Sequence, residues 1–120
     1  MPHQQVLGFP AVRQENLGEL IDRNVNNKRW NLICDYHFGG YAKINAELVN
    51  FINDFKIQTT IQLDPVYTAK MVFGVLNLIA TNYFPENSKI LLIHTGGLQG
   101  ITGMNKFLEK KQLPIIQYND

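Results

Sequence analysis

The residues best suited to chemistry stand where an apolar segment meets a glycine pair, in the sequence KILLIHTGGLQG over residues 89–100. Thr95 offers a hydroxyl there, and Gly96–Gly97 let the backbone approach a ligand closely. Unpaired N–H groups at the start of the next helix favour an anion or a polar ring atom. Thr95 replaces the first glycine of a dinucleotide-binding fingerprint, so that motif is poor. A tight turn without any ligand explains the corner alone equally well.

A second corner, DPVYTAK over residues 64–70, places Tyr67 and Thr68 in a first helical turn. A tyrosine in that position transfers protons if its pKa is lowered. The alternative is that Asp64 caps the helix and Tyr67 packs at the edge of the core. Lys70 is expected to be a solvated or ion-paired helix residue.

A third corner, DYHFGGY over residues 35–41, gathers aromatic side chains, including Tyr41, around a glycine pair. It could wall a small-molecule pocket, and ordinary loop packing is the alternative. The preceding Cys34 lies in an apolar run and is expected to be a small core residue. No metal site is expected, because His3, His37 and His94 lie far apart and the cysteine has no partner at ligand spacing.

These corners follow segments that are predicted to alternate between strand and helix. The alternation predicts a single α/β domain over residues 1–120, with an open, mostly parallel four-stranded sheet and helices on both faces, in the order β-α-β-α-β-α-β-α. Ligands bind beyond the carboxyl ends of such strands, so the three corners are expected to lie together. The predicted strands are Val6–Phe9, Trp30–Tyr36, Thr59–Leu63 and Ile90–His94, and the predicted helices are 17–25, Asn45–Phe55, Val66–Asn82 and Leu98–Lys110, with an extended tail at Ile115–Tyr118.

Composition excludes several classes of partner. The chain has 120 residues and a formal net charge of +1, which gives no electrostatic case for nucleic acid. No run reaches the roughly 18 apolar residues that a membrane span needs. A single cysteine fits a reducing compartment, so a cytoplasmic location is expected.

Taken together, the corners resemble the C-terminal region of a known enzyme family. LDPVYTAKMVFGVLNLI, YFPENSKILLIHTGGLQG and the loop DYHFGGYAK are similar to segments of the 1-aminocyclopropane-1-carboxylate deaminase and D-cysteine desulfhydrase family. The resemblance covers roughly residues 30–104. It implies an enzyme of fold type II, the tryptophan-synthase-like group, that depends on pyridoxal 5'-phosphate.

The resemblance also implies roles for individual residues. Tyr67 matches a tyrosine over cofactor and substrate, and Tyr41 matches a second substrate-facing tyrosine, so both are catalytic candidates. Thr95 matches the hydroxyl residue that bonds the pyridine nitrogen, beside the Gly96–Gly97 turn. Thr68 stands where the deaminases carry a glutamate. Neutral hydroxyls would not enforce a charged pyridinium, which favours β-elimination, as in D-cysteine desulfhydrase.

The chain is shorter than the family, whose members run to about three hundred residues by resemblance. None of its lysines matches the one to which the cofactor is attached, and the loop that grips the cofactor phosphate has no counterpart. The expectation is a fragment of a deaminase or lyase acting on a small amino acid, inactive alone and forming a homo-oligomer. Two alternatives stay open: a non-catalytic binding or assembly domain, and a nucleotide-binding module that uses the TGGLQG turn.

Overall fold

Two short parallel strands open the fold in the computed structural model, which describes residues 4–12 and 16–118. Strand β1, Val6–Gly8, pairs with strand β2, Trp30–Leu32, with Val6 opposite Trp30. Helix α1, Leu17–Asn24, lies between them in sequence. Parallel pairing across a helix is the arrangement that an α/β fold requires, so the predicted fold class is confirmed at this level. His3 lies outside the described residues.

Three further helices build the core. They are α2 (Ala46–Thr59), α3 (Thr68–Ala80) and α4 (Ile101–Lys110), the last preceded by a short 3-10 turn at Leu98–Gly100. Asn45 begins α2 by accepting a hydrogen bond from the Leu48 N–H at 2.9 Å, the usual arrangement at a helix N-cap. One buried cluster joins the three helices to the segments that flank them: Leu48, Val49, Ile52, Leu63, Ala69, Val72, Ile101, Leu108 and Ile116.

The C-terminal tail is held by two asparagine amides. Asn105 donates to the Ile116 carbonyl and accepts from the Ile116 N–H, at 2.9 and 2.8 Å. Asn53 donates to the Ile115 carbonyl and accepts from the Gln117 N–H, at 3.0 and 2.8 Å. Paired amides satisfy a backbone that has no neighbouring strand, so the tail is fixed across α2 and α4.

The predicted four-stranded sheet is not confirmed, because only β1 and β2 pair within the described ranges. The predicted strand Thr59–Leu63 is wrong: Thr59 is the last residue of α2, Thr60 ends the helix with a left-handed φ of 64°, and residues 61–63 form no strand in the described structure. Residues 90–94 make no backbone hydrogen bond to another strand in the described part of the chain. Leu91 and Ile93 are 86% and 65% exposed. A strand exists only with a partner, and none of the described segments supplies one here.

The other predicted helices and strands are present, but they begin or end at different residues from those predicted. The helices at the second, third and fourth positions are present, and α3 is shorter at both ends than predicted. Across the described residues, none of the helices has the length and apolar character that crossing a bilayer requires.

Candidate functional site

The site begins at Asp64, whose carboxylate starts helix α3. Asp64 is buried, with 1% of its surface exposed. One carboxylate oxygen accepts from the N–H groups of Val66 and Tyr67, at 2.8 and 2.7 Å. The other accepts from the Thr68 N–H at 2.8 Å and from the Thr68 hydroxyl at 2.5 Å. A carboxylate satisfies the free N–H groups of a helix start and suits its dipole, so the predicted capping role of Asp64 is confirmed.

This cap fixes Tyr67, whose hydroxyl donates to the hydroxyl of Tyr41 at 3.3 Å. The two rings lie edge to face, with centroids 6.1 Å apart, and both side chains are exposed. The hydrogen bond to Tyr41, with smaller contributions from burial and from the negative charge of Asp64, raises the pKa of Tyr67 above the ordinary 10.0. Tyr67 is therefore protonated at neutral pH, and its pKa is not lowered as proton abstraction by this tyrosine would require.

The loop that carries Tyr41 is shaped by left-handed backbone. Phe38, Gly39, Gly40 and Ala42 have φ values of 56°, 105°, 131° and 58°. The two glycine values lie in a region that other residues rarely adopt. The Gly39 N–H donates to a ring nitrogen of the His37 side chain at 2.9 Å, which closes the loop locally. The glycine pair is thus a conformational requirement for the turn that places Tyr41 beside α3.

Lys70 joins that loop to α3. Its side chain is 1% exposed, and its ammonium donates to the Gly40 carbonyl at 3.0 Å. Burial lowers the pKa of Lys70, against a smaller opposing effect of the Asp64 charge. The expectation of a solvated or ion-paired lysine is therefore wrong. A lysine in a helix is usually exposed, and the only sequence signal for burial was the apolar character of α3 on all sides.

The glycine corner lies against the same carboxylate. Gly96 and Gly97 have φ values of 91° and 88°, and the Gly96 N–H donates to a ring nitrogen of His94 at 3.0 Å. A Cβ on Gly97 would lie 3.2 Å from the Asp64 carboxyl carbon. Asp64 thus connects the tyrosine corner to the glycine corner, and Lys70 connects both to the loop of Tyr41. The three corners lie together, as expected, although the four-stranded sheet on which that expectation was based is not confirmed.

Gly97→Ala should destabilise the domain, because alanine meets both an unfavourable positive φ and the Asp64 side chain. We expect a loss of about 1–3 kcal/mol in the free energy of unfolding, measured by urea denaturation. Gly103→Ala is the matched control: Gly103 lies inside α4 with no atom within 4 Å of the added Cβ. That variant should be unchanged or stabilised, by up to about 1 kcal/mol. Equal stability of the two variants would show that the Gly97 turn is not constrained.

The residues that the resemblance assigns to pyridoxal phosphate differ in which polar groups they have available to bind it. Thr95 is exposed, and within residues 4–12 and 16–118 its hydroxyl makes no hydrogen bond, so it is free to bond a ring nitrogen. The Gly96 N–H is already engaged by His94, so the turn is a poor phosphate grip. The Thr68 hydroxyl is engaged by Asp64 and has no second proton to donate. The roles of Thr95, Thr68, Gly96 and Gly97 toward the cofactor remain predictions.

An open groove of about 390 Å³ lies beside Tyr41 and extends to Gly103, Met104 and Phe107 of α4. Its lining includes neither Tyr67 nor Thr95. The described residues contain no group of three or more histidine, cysteine or acidic side chains that could hold a metal. Cys34 is exposed, so the expectation that it is a core residue is wrong.

Known proteins with similar sequences are named as deaminases or desulfhydrases of small amino acids. A 1-aminocyclopropane-1-carboxylate deaminase of Rhizobium rhizogenes is 48% identical over 93 residues, covering 78% of this chain and 27% of the relative. The bifunctional D-cysteine desulfhydrase/1-aminocyclopropane-1-carboxylate deaminase of Arabidopsis thaliana, a mitochondrial protein, is 42% identical over 65 residues, covering 52% of this chain and 16% of the relative.

A comparison with solved structures finds a similar protein of the same name. A crystal structure of a 1-aminocyclopropane-1-carboxylate deaminase homologue superimposes with a TM-score of 0.74 at 32% identity, covering 87% of this chain and 34% of that one. No family model matches the sequence. The chain spans about a quarter of the length of the curated relatives that it matches.

Proposed function

Because the chain belongs to the 1-aminocyclopropane-1-carboxylate deaminase and D-cysteine desulfhydrase family and matches its C-terminal part, we propose that it forms the tyrosine-bearing part of an active site for small amino acids. The whole site converts a D-cysteine-like substrate and water to a 2-oxo acid, ammonia and hydrogen sulfide. 1-Aminocyclopropane-1-carboxylate, which would give 2-oxobutyrate and ammonia, is the second candidate substrate. The observation that carries the proposal is the hydrogen-bonded pair of Tyr41 and Tyr67, held from two sides by Lys70 and Asp64.

The chain's own residues supply proton handling and orientation in this proposal. Tyr67, kept neutral by its hydrogen bond to Tyr41, donates a proton toward the substrate or leaving group. For that transfer the Tyr67 hydroxyl turns from Tyr41 to the substrate. The Tyr41 hydroxyl then donates to the Tyr67 oxygen and returns a proton to it, and Tyr41 regains its own proton from solvent, since both side chains are exposed. Thr95 would hold the pyridine nitrogen of the bound cofactor, and the Gly96–Gly97 turn would let the backbone approach the ring. Pyridoxal phosphate, when bound, supplies the electron sink that stabilises negative charge at Cα.

Substrate preference in the proposal depends on Thr68. Its hydroxyl is turned to the Asp64 carboxylate, so it presents no charge to the ring nitrogen. Without a carboxylate there, the pyridinium form is not enforced, and loss of a β-substituent is favoured over ring opening. We therefore place D-cysteine ahead of 1-aminocyclopropane-1-carboxylate.

A segment exchange tests this function. The stretch of the Arabidopsis bifunctional enzyme that matches this chain over 65 residues is replaced by the corresponding residues of this chain. We expect the chimera to bind pyridoxal phosphate and to release pyruvate from D-cysteine, with less 2-oxobutyrate from 1-aminocyclopropane-1-carboxylate. A folded, cofactor-loaded chimera that releases neither product would refute the proposal. The unexchanged enzyme serves as the reference.

The isolated 120-residue chain should show no turnover in this proposal, because none of its lysines matches the attachment site of the cofactor. Lys70, the buried one, is bonded to a backbone carbonyl. Release of pyruvate from D-cysteine by the purified chain with added pyridoxal phosphate would contradict this part of the proposal.

A second candidate function, a non-catalytic assembly domain, has one observation in its favour. Residues 90–93 are four consecutive apolar residues, each at least 37% exposed, with no paired strand within the described residues. An unpaired apolar segment is a template for pairing with another chain. In this alternative the partner is a second copy of the chain, because two such segments can pair about a twofold axis. The net charge of +1 offers little repulsion between the copies.

Leu91→Lys separates the two functions. If the chain is a self-assembling domain, light scattering after size-exclusion chromatography should give a dimer for the wild type and a monomer for this variant, because a lysine at the pairing segment opposes association. Lys89→Met, beside the segment, is the control that should leave the dimer intact. A wild-type monomer at all concentrations would remove the alternative.

A further inference from the structure

Lys70 occupies a position that stability alone explains poorly. Its side chain is 1% exposed, and its ammonium has one acceptor in the described structure, the Gly40 carbonyl at 3.0 Å. Within residues 4–12 and 16–118, no carboxylate oxygen lies within 4 Å of that ammonium. Burying a charge with so few partners is unfavourable, and an apolar side chain of similar volume is often as good or better for stability. Stability therefore does not account for the buried hydrogen bond from Lys70 to the Gly40 carbonyl.

That contact falls at one particular backbone position. The Gly40 carbonyl accepts from both the Lys70 ammonium and the Lys43 N–H, the latter at 3.1 Å. It belongs to the peptide unit that leads directly into Tyr41. The loop's own backbone hydrogen bonds, from the Gly40 N–H to the His37 carbonyl at 3.2 Å and from the Lys43 N–H to the Gly40 carbonyl, shape it locally but do not attach it to α3. An external tie at this carbonyl fixes the direction of the Tyr41 side chain.

The partner of Tyr41 is fixed by the same helix. Tyr67 stands at the start of α3, where Asp64 binds its N–H. Lys70 lies three residues further along, about one helical turn away, so it faces the same side of the helix. Tyr67 is thus attached to α3 directly. The loop of Tyr41 contacts α3 through the ring of Phe38, which packs edge to face on Phe73 with centroids 5.1 Å apart, and through Lys70. Of these two contacts, the Lys70 bond is the one at the peptide unit that leads into Tyr41.

We propose that Lys70 is a positioning residue that holds Tyr41 against Tyr67 by tying the Gly40 carbonyl to helix α3. The catalytic role of the tyrosine pair rests on the proposed function, whereas the role of Lys70 in positioning Tyr41 does not. In the absence of the tie, the loop keeps its glycine turn but no longer directs Tyr41 at the Tyr67 hydroxyl.

Nuclear magnetic resonance on the isolated chain tests the role without any cofactor. In the wild type, ring protons of Tyr41 and Tyr67 should show mutual nuclear Overhauser effects, since the centroids are 6.1 Å apart. Lys70→Met, which keeps the length and apolar packing of the side chain, should lose these cross-peaks while retaining the folded spectrum. Lys110→Met, at an exposed position in the last turn of α4, is the matched control and should keep them. A folded Lys70→Met chain with unchanged cross-peaks would overturn the proposal.

A wild-type measurement covers the case in which Lys70→Met does not fold. With lysine side chains labelled with ¹⁵N at Nζ, one ammonium group should exchange slowly with water and show cross-peaks to the Gly40 α-protons. If every lysine ammonium exchanges rapidly and none shows that contact, the tie does not exist in solution and the proposal fails.

The enzyme chimera separates this proposal from the proposed function. In an active chimera, Lys70→Met should lower kcat, and Lys70→Arg, which restores a donor, should recover part of the loss. An active chimera whose kcat is unaffected by Lys70→Met would count against positioning. A folded, cofactor-loaded parent chimera without activity would refute the proposed function, and the cross-peaks alone would then test whether Lys70 positions Tyr41.

Discussion

Asp64→Ala should lower the free energy of unfolding by about 2–4 kcal/mol, the largest effect that we expect on stability from a single substitution. The change leaves the N–H groups of Val66, Tyr67 and Thr68 without their acceptor, and the Thr68 hydroxyl loses its partner. Small domains have only roughly 5–15 kcal/mol in total, so the midpoint of urea denaturation should move clearly. Tryptophan fluorescence or circular dichroism follows the transition.

Asp54→Ala is the control for Asp64, since it removes a carboxylate from an exposed position inside α2. It should change stability by no more than about 0.5 kcal/mol. Equal denaturation midpoints for the two variants would mean that the cap contributes little. Asp64→Asn adds a further comparison: the amide keeps one acceptor oxygen but presents N–H donors to the Thr68 N–H, so an intermediate loss is expected.

Tyr67→Phe should reduce kcat of the chimeric enzyme by roughly 10²–10⁴-fold, the usual contribution of a general acid or base. The ring remains and only the hydroxyl is removed, so the packing beside Tyr41 changes little. The pKa of Tyr67 is raised, and the hydroxyl is thus protonated throughout the neutral range. The loss of activity should accordingly be independent of pH across that range, in steady-state assays of pyruvate release from D-cysteine.

Tyr83→Phe is the matched control for Tyr67. Tyr83 is similarly exposed, and its ring contacts Phe84, away from the site. Its loss of a hydroxyl should leave kcat unchanged. If Tyr67→Phe retained full activity in a chimera that binds pyridoxal phosphate, proton transfer would have to be assigned to another group, and Tyr41→Phe would be the next variant to measure.

The local features of the site were predictable from the sequence. An aspartate followed by proline begins a helix because its carboxylate accepts the free N–H groups of the first turn. The glycine pairs at residues 39–40 and 96–97 marked turns, and all four glycines have positive φ. The resemblance assigned the chain to its family, and the sequence and structural comparisons confirm it.

Other features depended on contacts between distant residues. The bond from Lys70 to Gly40 spans 30 positions, and the bond between the two tyrosines spans 26. No local pattern encodes such a contact, because it arises only when the corners pack together. For the same reason the burial of Lys70 and the approach of Gly97 to Asp64 were not foreseen.

The sequence by itself determined where helices begin, where the chain turns and which side chains have suitable chemistry, because capping and backbone preference act over a few residues. The tertiary structure alone decided what each candidate touches. It set the Tyr41 hydroxyl within hydrogen-bond distance of Tyr67, which raises the pKa of Tyr67, and it engaged the Thr68 hydroxyl with Asp64. It also left the apolar residues 90–93 without a strand partner in the described chain, since a strand pattern becomes a strand only when another segment satisfies its backbone.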